Sequence, residues 1–228
     1  MEESIEYIKG KAGHSVTGDK VASWQKKHSP VKFKILLLKS MSWIFIIMPL
    51  IWIVVMTYLD QLGGDPAKEI QHFTGRVGIR FLLVVLLLSP FVYLFKWHVL
   101  NSLRRLLGLA VFFWAVLHVL SYLVFELGLD FSLFLSEIIS RNYLILGAIA
   151  WIGLFLLALT SNKWMMKQLK RNWKRLHNCI YPIAILTAIH YFMSQKIGHI
   201  YPLLYLGTFI VLWGFHFWLV IKKINIIH

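Results

Sequence analysis

The chain has 228 residues, 58% of them hydrophobic and only 15% charged, with a mean hydropathy of +0.67, which excludes an ordinary soluble domain and indicates an integral membrane protein. A formal charge of +14 would suggest nucleic acid as a partner of a soluble protein, but here the basic residues lie between apolar runs, where they act as an orientation signal, so no nucleic-acid partner is expected. The single cysteine, Cys179, excludes an intrachain disulfide and any Cys-based iron–sulfur or zinc site, and reads as a small apolar packing residue.

Six apolar runs follow one another, at about residues 40–59, 77–95, 106–125, 143–160, 179–193 with a helical lead-in from 173, and 200–221. Most approach the ~20 residues needed to cross a bilayer core. The expected architecture is therefore an all-α, six-helix membrane bundle over residues 40–222, with a basic N-terminal tail at 1–39 and a short tail at 223–228. The tail has no apolar run in its first 30 residues and is neither a cleavable signal nor a span. Nineteen of the 24 Lys and Arg fall in one alternating set of segments; only Lys68, Arg76, Arg80, Arg141 and Lys196 fall in the other. By the positive-inside rule both termini are expected in the cytoplasm.

The first span reads as an uncleaved anchor containing Pro49 and Trp52. The outer loop after it, LGGDPAKEIQHFTGRVGIR, turns at Gly63, Gly64 and Pro66, and Thr74 is placed to cap the second helix. His72, just before that helix, reads as an exposed or capping loop histidine, with a redox or docking role as the alternative. The inner connection KWHVLNSLRRLLGL carries Arg104 and Arg105. Their guanidinium forks suit anionic cofactor groups, propionate or phosphate, and they serve equally as topological charges. His98 beside them reads as interfacial.

The third span, LLGLAVFFWAVLHVLSYLVF, holds His118. An ionisable group well inside an apolar span is a functional candidate by default, because an unpartnered polar group there is expensive. The outer loop ELGLDFSLFLSEIISRN is mildly acidic, through Glu126, Asp130 and Glu137. It suits either docking of a basic partner or a solvated loop with a short interfacial helix. Span four closes in LALTSNKW, and the basic run KWMMKQLKRNWKR reads as an amphipathic interfacial helix with Trp164 and Trp173 at headgroup depth.

That run feeds the segment RNWKRLHNCIYPIAILTAIHYFMS, with His177 and His190. Thirteen residues at 1.5 Å each separate them by roughly 20 Å, too far for one metal ion. On a straight helix they would point roughly 140° apart, and Pro182 between them is placed to rephase it. His118 lies 13 residues beyond Arg105 and His190 lies 15 beyond Arg175, so both sit roughly 20 Å from the inner charge belt on helices running the same way. Two histidines at one depth on separate helices are what bis-imidazole ligation of a b-type haem requires. A hydrogen-bonded packed pair is the bland alternative. His177, at the inner edge, is better placed to receive electrons. His216, near the inner end of the last span, reads as structural or as a second-site partner facing His177.

The segments LGGDPAKEIQHFTGRVGIRFLLVVLLLSP, RRLLGLAVFFWAVLHVLSY, SRNYLILGAIAWIGLFLLALTS and WKRLHNCIYPIAILTAIHYF together resemble the MsrQ (YedZ) family of the ferric-reductase-like transmembrane superfamily. The likeness covers roughly residues 40–195, with the superfamily core at about 75–195. The resemblance implies a haem-binding subunit in the bacterial inner membrane. Such a subunit passes electrons from a cytoplasmic flavin reductase or the quinone pool to a periplasmic molybdopterin enzyme that repairs oxidised methionine. It implies haem b, one or two, and FMN as cofactors, with His118, His177 and His190 as the haem histidines, and no substrate chemistry of its own. The long charged tail departs from the usual short N-terminus. No Rossmann motif follows the spans, so a separate reductase is expected to oxidise NAD(P)H. The competing readings are a transmembrane ferric or cupric reductase and a non-redox transport or assembly protein.

Overall fold

The computed structural model describes residues 30–195 and 200–225, and every regular element among them is helical. The tail upstream of residue 30, Lys196 and the last three residues lie outside the described residues. In chain order the elements are α1 (Pro30–Tyr58), α2 (Pro66–Phe95), a 3₁₀ turn (His98–Leu103), α3 (Arg104–Ser121) and a widened π turn (Tyr122–Glu126). They continue with α4 (Phe131–Ser140), α5 (Asn142–Leu159), α6 (Lys163–Asn178), α7 (Ile180–Ser194) and α8 (Tyr201–Asn225). Among the described residues six segments are long and apolar enough to cross a membrane, in the order expected: Phe33–Tyr58, Pro66–Phe95, His98–Glu126, Asn142–Leu159, Lys163–Ser194 and Tyr201–Lys222.

The chain separates into two units, Met1–Met41 and Ser42–His228. The described part of the first is the opening of α1, with Phe33, Leu36, Leu37 and Met41 exposed. The second unit holds the remaining helices. Hydrocarbon offers the backbone no partners, so apolar runs of this length satisfy their N–H and C=O groups as helices. The hydroxyls inside them turn inward for the same reason: Thr57, Thr74, Thr160, Ser161, Thr187 and Thr208 each donate to the carbonyl four residues back.

The structure corrects the expected start of the second helix. Asp65, not Thr74, is its cap: the carboxylate accepts from Lys68 N at 3.2 Å, and Pro66 occupies the first turn, where its missing N–H costs nothing. The local Gly-Gly-Asp-Pro turn ends there, and the polar stretch that follows winds as helix because its other face is covered. Thr74 is therefore interior and 3% exposed, and His72 lies on a helix rather than in a loop. The short helix expected in the acidic loop is present as α4, capped by Asp130 onto Leu133 N at 2.9 Å.

Packing is dominated by two helix pairs, α2 against α3 and α5 against α7, with α8 laid on α7 and α2. Their common core contains Leu82, Leu86, Val111, Leu154, Ala184 and Phe209. Without a hydrophobic force between helices in lipid, close approach of small residues does the holding. Ala150, Ala184 and Ala188 are 4%, 0% and 0% exposed, and a Cβ at Gly153 would come within 2.7 Å of Ile183 Cδ1. The basic helix α6 is broken at Lys170, whose φ of 46° leaves the helical region. A turn at Cys179 separates α6 from α7, and Pro182 sits in the first turn of α7, where its missing N–H costs little. Cys179 itself is exposed, not packed, because it falls at that junction.

Candidate functional site

His118, on α3, and His190, on α7, converge in the structure with ring centres 6.3 Å apart and ring planes at 76°. Each is fixed by one carbonyl. His118 Nδ1 lies 2.9 Å from Gln71 O on α2, and His190 Nδ1 lies 2.7 Å from Tyr143 O on α5. A carbonyl only accepts, so both Nδ1 atoms carry the proton and both Nε2 atoms keep a free lone pair, the state a metal ligand needs. Thr74 Oγ1 shares its proton with Gln71 O within α2, at 2.9 Å, and Ser121 Oγ donates to His118 O within α3, at 2.8 Å; the two hydroxyl oxygens lie 3.5 Å apart and bring the His118 turn against α2.

The separation excludes a hydrogen bond between the rings and suits either an edge-to-face contact or a metal held between them. A metal–imidazole nitrogen bond of about 2 Å, with the ring centre about 1 Å further, puts two trans imidazole centres about 6 Å apart. The observed 6.3 Å fits that arrangement and is too long for a hydrogen bond between the rings. Among the described residues no group of three His, Cys, Asp or Glu converges. Two protein ligands suit iron whose other four positions come from a macrocycle, not a bare ion.

Two glycines that sequence reasoning passed over make the rings fit. A Cβ at Gly75 would lie 3.1 Å from the His118 ring, and one at Gly147 would lie 2.8 Å from His190 Nδ1. Each glycine is one turn beyond the carbonyl that holds the same ring, so spacing from Gln71 and Tyr143 is the signal that could have found them. The cavity beside the pair is also lined by His72, Arg76, Trp114 and Thr187. Arg76 forms an ion pair with Glu69. Trp114 is 0% exposed and its Nε1–H has no acceptor among the described residues. An unpaired buried donor costs about 1–3 kcal/mol, so a bound group offering an acceptor on this wall would relieve it.

His177 is not brought to this pair. It belongs to α6, where Trp173 stacks on its ring at 4.0 Å and Thr160 Oγ1 lies 3.1 Å from its Nε2. The one hydroxyl proton of Thr160 goes to Leu156 O at 2.7 Å, so His177 donates from Nε2 and its free lone pair is on Nδ1, the opposite tautomer to the other two. Trp173 also donates to Thr160 O at 2.9 Å, which turns it inward, whereas Trp164 is exposed. His216 stacks on Tyr181 at 4.5 Å instead of meeting His177. Arg104 reaches Ser89 Oγ at 3.4 Å, Arg105 is exposed, and both stand at the basic end of the helices, as does exposed His98.

Residues 74–188 match the family described as the ferric reductase like transmembrane component. The chain is 46% identical over 169 residues to the protein-methionine-sulfoxide reductase heme-binding subunit MsrQ of Yersinia pseudotuberculosis serotype O:1b (strain IP 31758), covering 74% of this chain and 83% of that protein. It shares the same identity over the same length with the subunit of that name from Yersinia pestis (strain Pestoides F), covering 82% of it. No solved structure matches the chain.

Proposed function

Because the chain belongs to the MsrQ family, as a multi-pass protein of the bacterial inner membrane, we propose that it binds haem b between His118 and His190 and uses it to carry electrons across the bilayer. The observation that carries this reading is the pair of imidazoles, 6.3 Å apart, each with Nδ1 tied to a carbonyl and Nε2 free. Haem held there supplies a one-electron carrier. The chain's own contribution is to fix the tautomer and direction of both rings, clear space for them with glycine, and exclude water with a wall of Trp114, Ile79 and Ala115.

In this reading both termini are cytoplasmic and the basic end receives electrons from a flavin reductase or quinol. Arg104 and Arg105 attract anionic groups there, including FMN phosphate, and His177 stands at the entry. The opposite end, with Tyr143 and the α4 loop, delivers electrons to a periplasmic molybdopterin methionine sulfoxide reductase. The chain is the electron-transfer subunit and performs no substrate chemistry. The family match to ferric reductases supports one rival, delivery to ferric or cupric chelates. Stopped-flow reoxidation of the reduced protein separates the two: rapid oxidation by the methionine sulfoxide reductase and slow oxidation by ferric chelate is expected, and the reverse order would favour the rival.

Two further outcomes follow. With Cys179 replaced by Ser, a single cysteine introduced at residue 20 or 228 should resist an impermeant maleimide in intact cells and react after lysis. Labelling in intact cells would invert the topology. His177→Ala should slow reduction by the cytoplasmic donor, or remove a second haem, while the His118–His190 spectrum persists. Unchanged reduction rate together with unchanged haem content would exclude a role for His177.

A further inference from the structure

The two halves of the site obey one arithmetic. His118 is held by the carbonyl 47 positions earlier and His190 by the carbonyl 47 positions earlier. The glycine facing His118 is Gly75 and the one facing His190 is Gly147, each 43 positions before its histidine. Carbonyl, glycine and histidine in the first half, at 71, 75 and 118, are therefore matched by 143, 147 and 190 at a constant offset of 72 with no insertion. The same offset pairs the core residues Leu82 and Leu154, and Ser89 with Ser161 near the basic ends of α2 and α5. Both halves are broken in their connecting stretch by a lysine with positive φ, Lys96 at 56° and Lys170 at 46°, two positions from perfect register. In each half the dominant packing sets the first helix against the one that carries the histidine, α2 on α3 and α5 on α7, with α6 intervening in the second.

We propose that Gly75 and Gly147, at matched positions of residues 71–118 and 143–190, are the positioning residues of the ligand site. In each half the glycine sets how closely its histidine's ring approaches the neighbouring helix, and the two together set the twist between the rings. This deepens the haem-ligand reading and rests on it. The matching is selective about which glycines matter. Gly78 lies one turn from Gly75, and a Cβ there would meet Trp114 Cβ at an ordinary 3.7 Å; its counterpart in the second half is Ala150, which already carries that Cβ. A Cβ at Gly108 would meet none of the described residues within 4 Å. Alanine is the better helix former, so Gly→Ala at an unobstructed site does not weaken a helix. A loss at Gly75 or Gly147 must come from the ring.

The test uses the full-length protein purified with its haem. Ferric haem with nearly perpendicular axial imidazoles gives a strongly anisotropic low-spin electron paramagnetic resonance signal, and parallel rings give a rhombic one. The 76° between the rings predicts the anisotropic form for the wild type. Gly147→Ala should shift or abolish that signal, Gly75→Ala should shift it less because its contact is longer, and Gly78→Ala and Gly108→Ala should leave it alone. A double-mutant cycle on thermal stability covers the case in which Gly147→Ala binds no haem. That substitution should destabilise the protein when His190 is present and do nothing further in a His190→Ala background, because only the ring is displaced. Gly75→Ala and Gly147→Ala spectra indistinguishable from Gly108→Ala, or a stability loss from Gly147→Ala that persists without His190, would overturn the proposal. A wild type lacking low-spin haem would instead overturn the ligand reading beneath it.

Discussion

His118→Ala and His190→Ala should each abolish the low-spin b-type spectrum of the purified protein, leaving it high-spin or without haem. Each substitution removes one of the two imidazoles proposed to hold the haem, both already oriented by the fold, with Gln71 O and Tyr143 O fixing the proton on Nδ1. His72 and Thr187 also line the cavity, but among the described residues no third His, Cys, Asp or Glu joins the pair in a metal-binding group. The substitutions should leave the helices intact, since each histidine is replaced by a good helix former on an apolar face. Absorption spectroscopy with pyridine-haemochrome quantitation reads the result. His98→Ala and His216→Ala are the controls, one exposed and the other stacked on Tyr181 at 4.5 Å, away from the pair; both should keep the full spectrum. A double His118→Ala, His190→Ala variant with a normal low-spin spectrum would move the ligands elsewhere, to His72, His177 or His216.

Trp114→Ala should be the most damaging packing change. Trp114 is 0% exposed, one turn before His118, with Phe73 at 6.4 Å and Phe113 at 5.9 Å around it. Truncating a fully buried Trp to Ala costs about 3–5 kcal/mol in protein cores. In lipid the water-transfer part of that figure shrinks, but the lost contacts remain, because packing is what holds such helices together. The Trp114 ring forms one wall of the cavity, so haem retention should fall with stability. Differential scanning fluorimetry should show a large drop in Tm, and haem content should fall in parallel. Trp164→Ala, at a tryptophan 65% exposed, should show neither effect. A Trp114→Ala protein as stable as the wild type would mean that this wall is filled by rearrangement.

The depth of the site was legible in the sequence because helical rise converts residue number into height. Counting from Arg105 and Arg175 placed His118 and His190 at one level, and the rings do meet. The start of α2 was not legible. Gly63, Gly64 and Pro66 announce a turn, and the next residues are polar enough to read as loop; only the covering of Thr74 and His72 by neighbouring helices makes them helical. For the same reason Gly75 read as part of a loop, and its contact with His118 depends on a residue 43 positions away. Ring direction was equally hidden. His177 and His216 both lie toward the inner end and read as able to face each other, yet Thr160 and Trp173 hold one and Tyr181 holds the other. The matched spacing stayed concealed because the two halves share geometry far more than side chains: Arg76 and Arg105 of the first half correspond to Ala148 and His177 of the second.

The claim that the chain carries electrons through the bilayer by way of His118 and His190 is tested most directly in sealed vesicles holding the protein in one orientation. The cytoplasmic flavin reductase with NADH is supplied on the basic side, and the oxidised methionine sulfoxide reductase only on the other. Haem reduction followed by reoxidation across the membrane in the wild type, and its absence in His118→Ala vesicles, is the predicted result. Transfer at the wild-type rate in the His118→Ala vesicles, or haem that exchanges electrons with reagents on one side only, would contradict it.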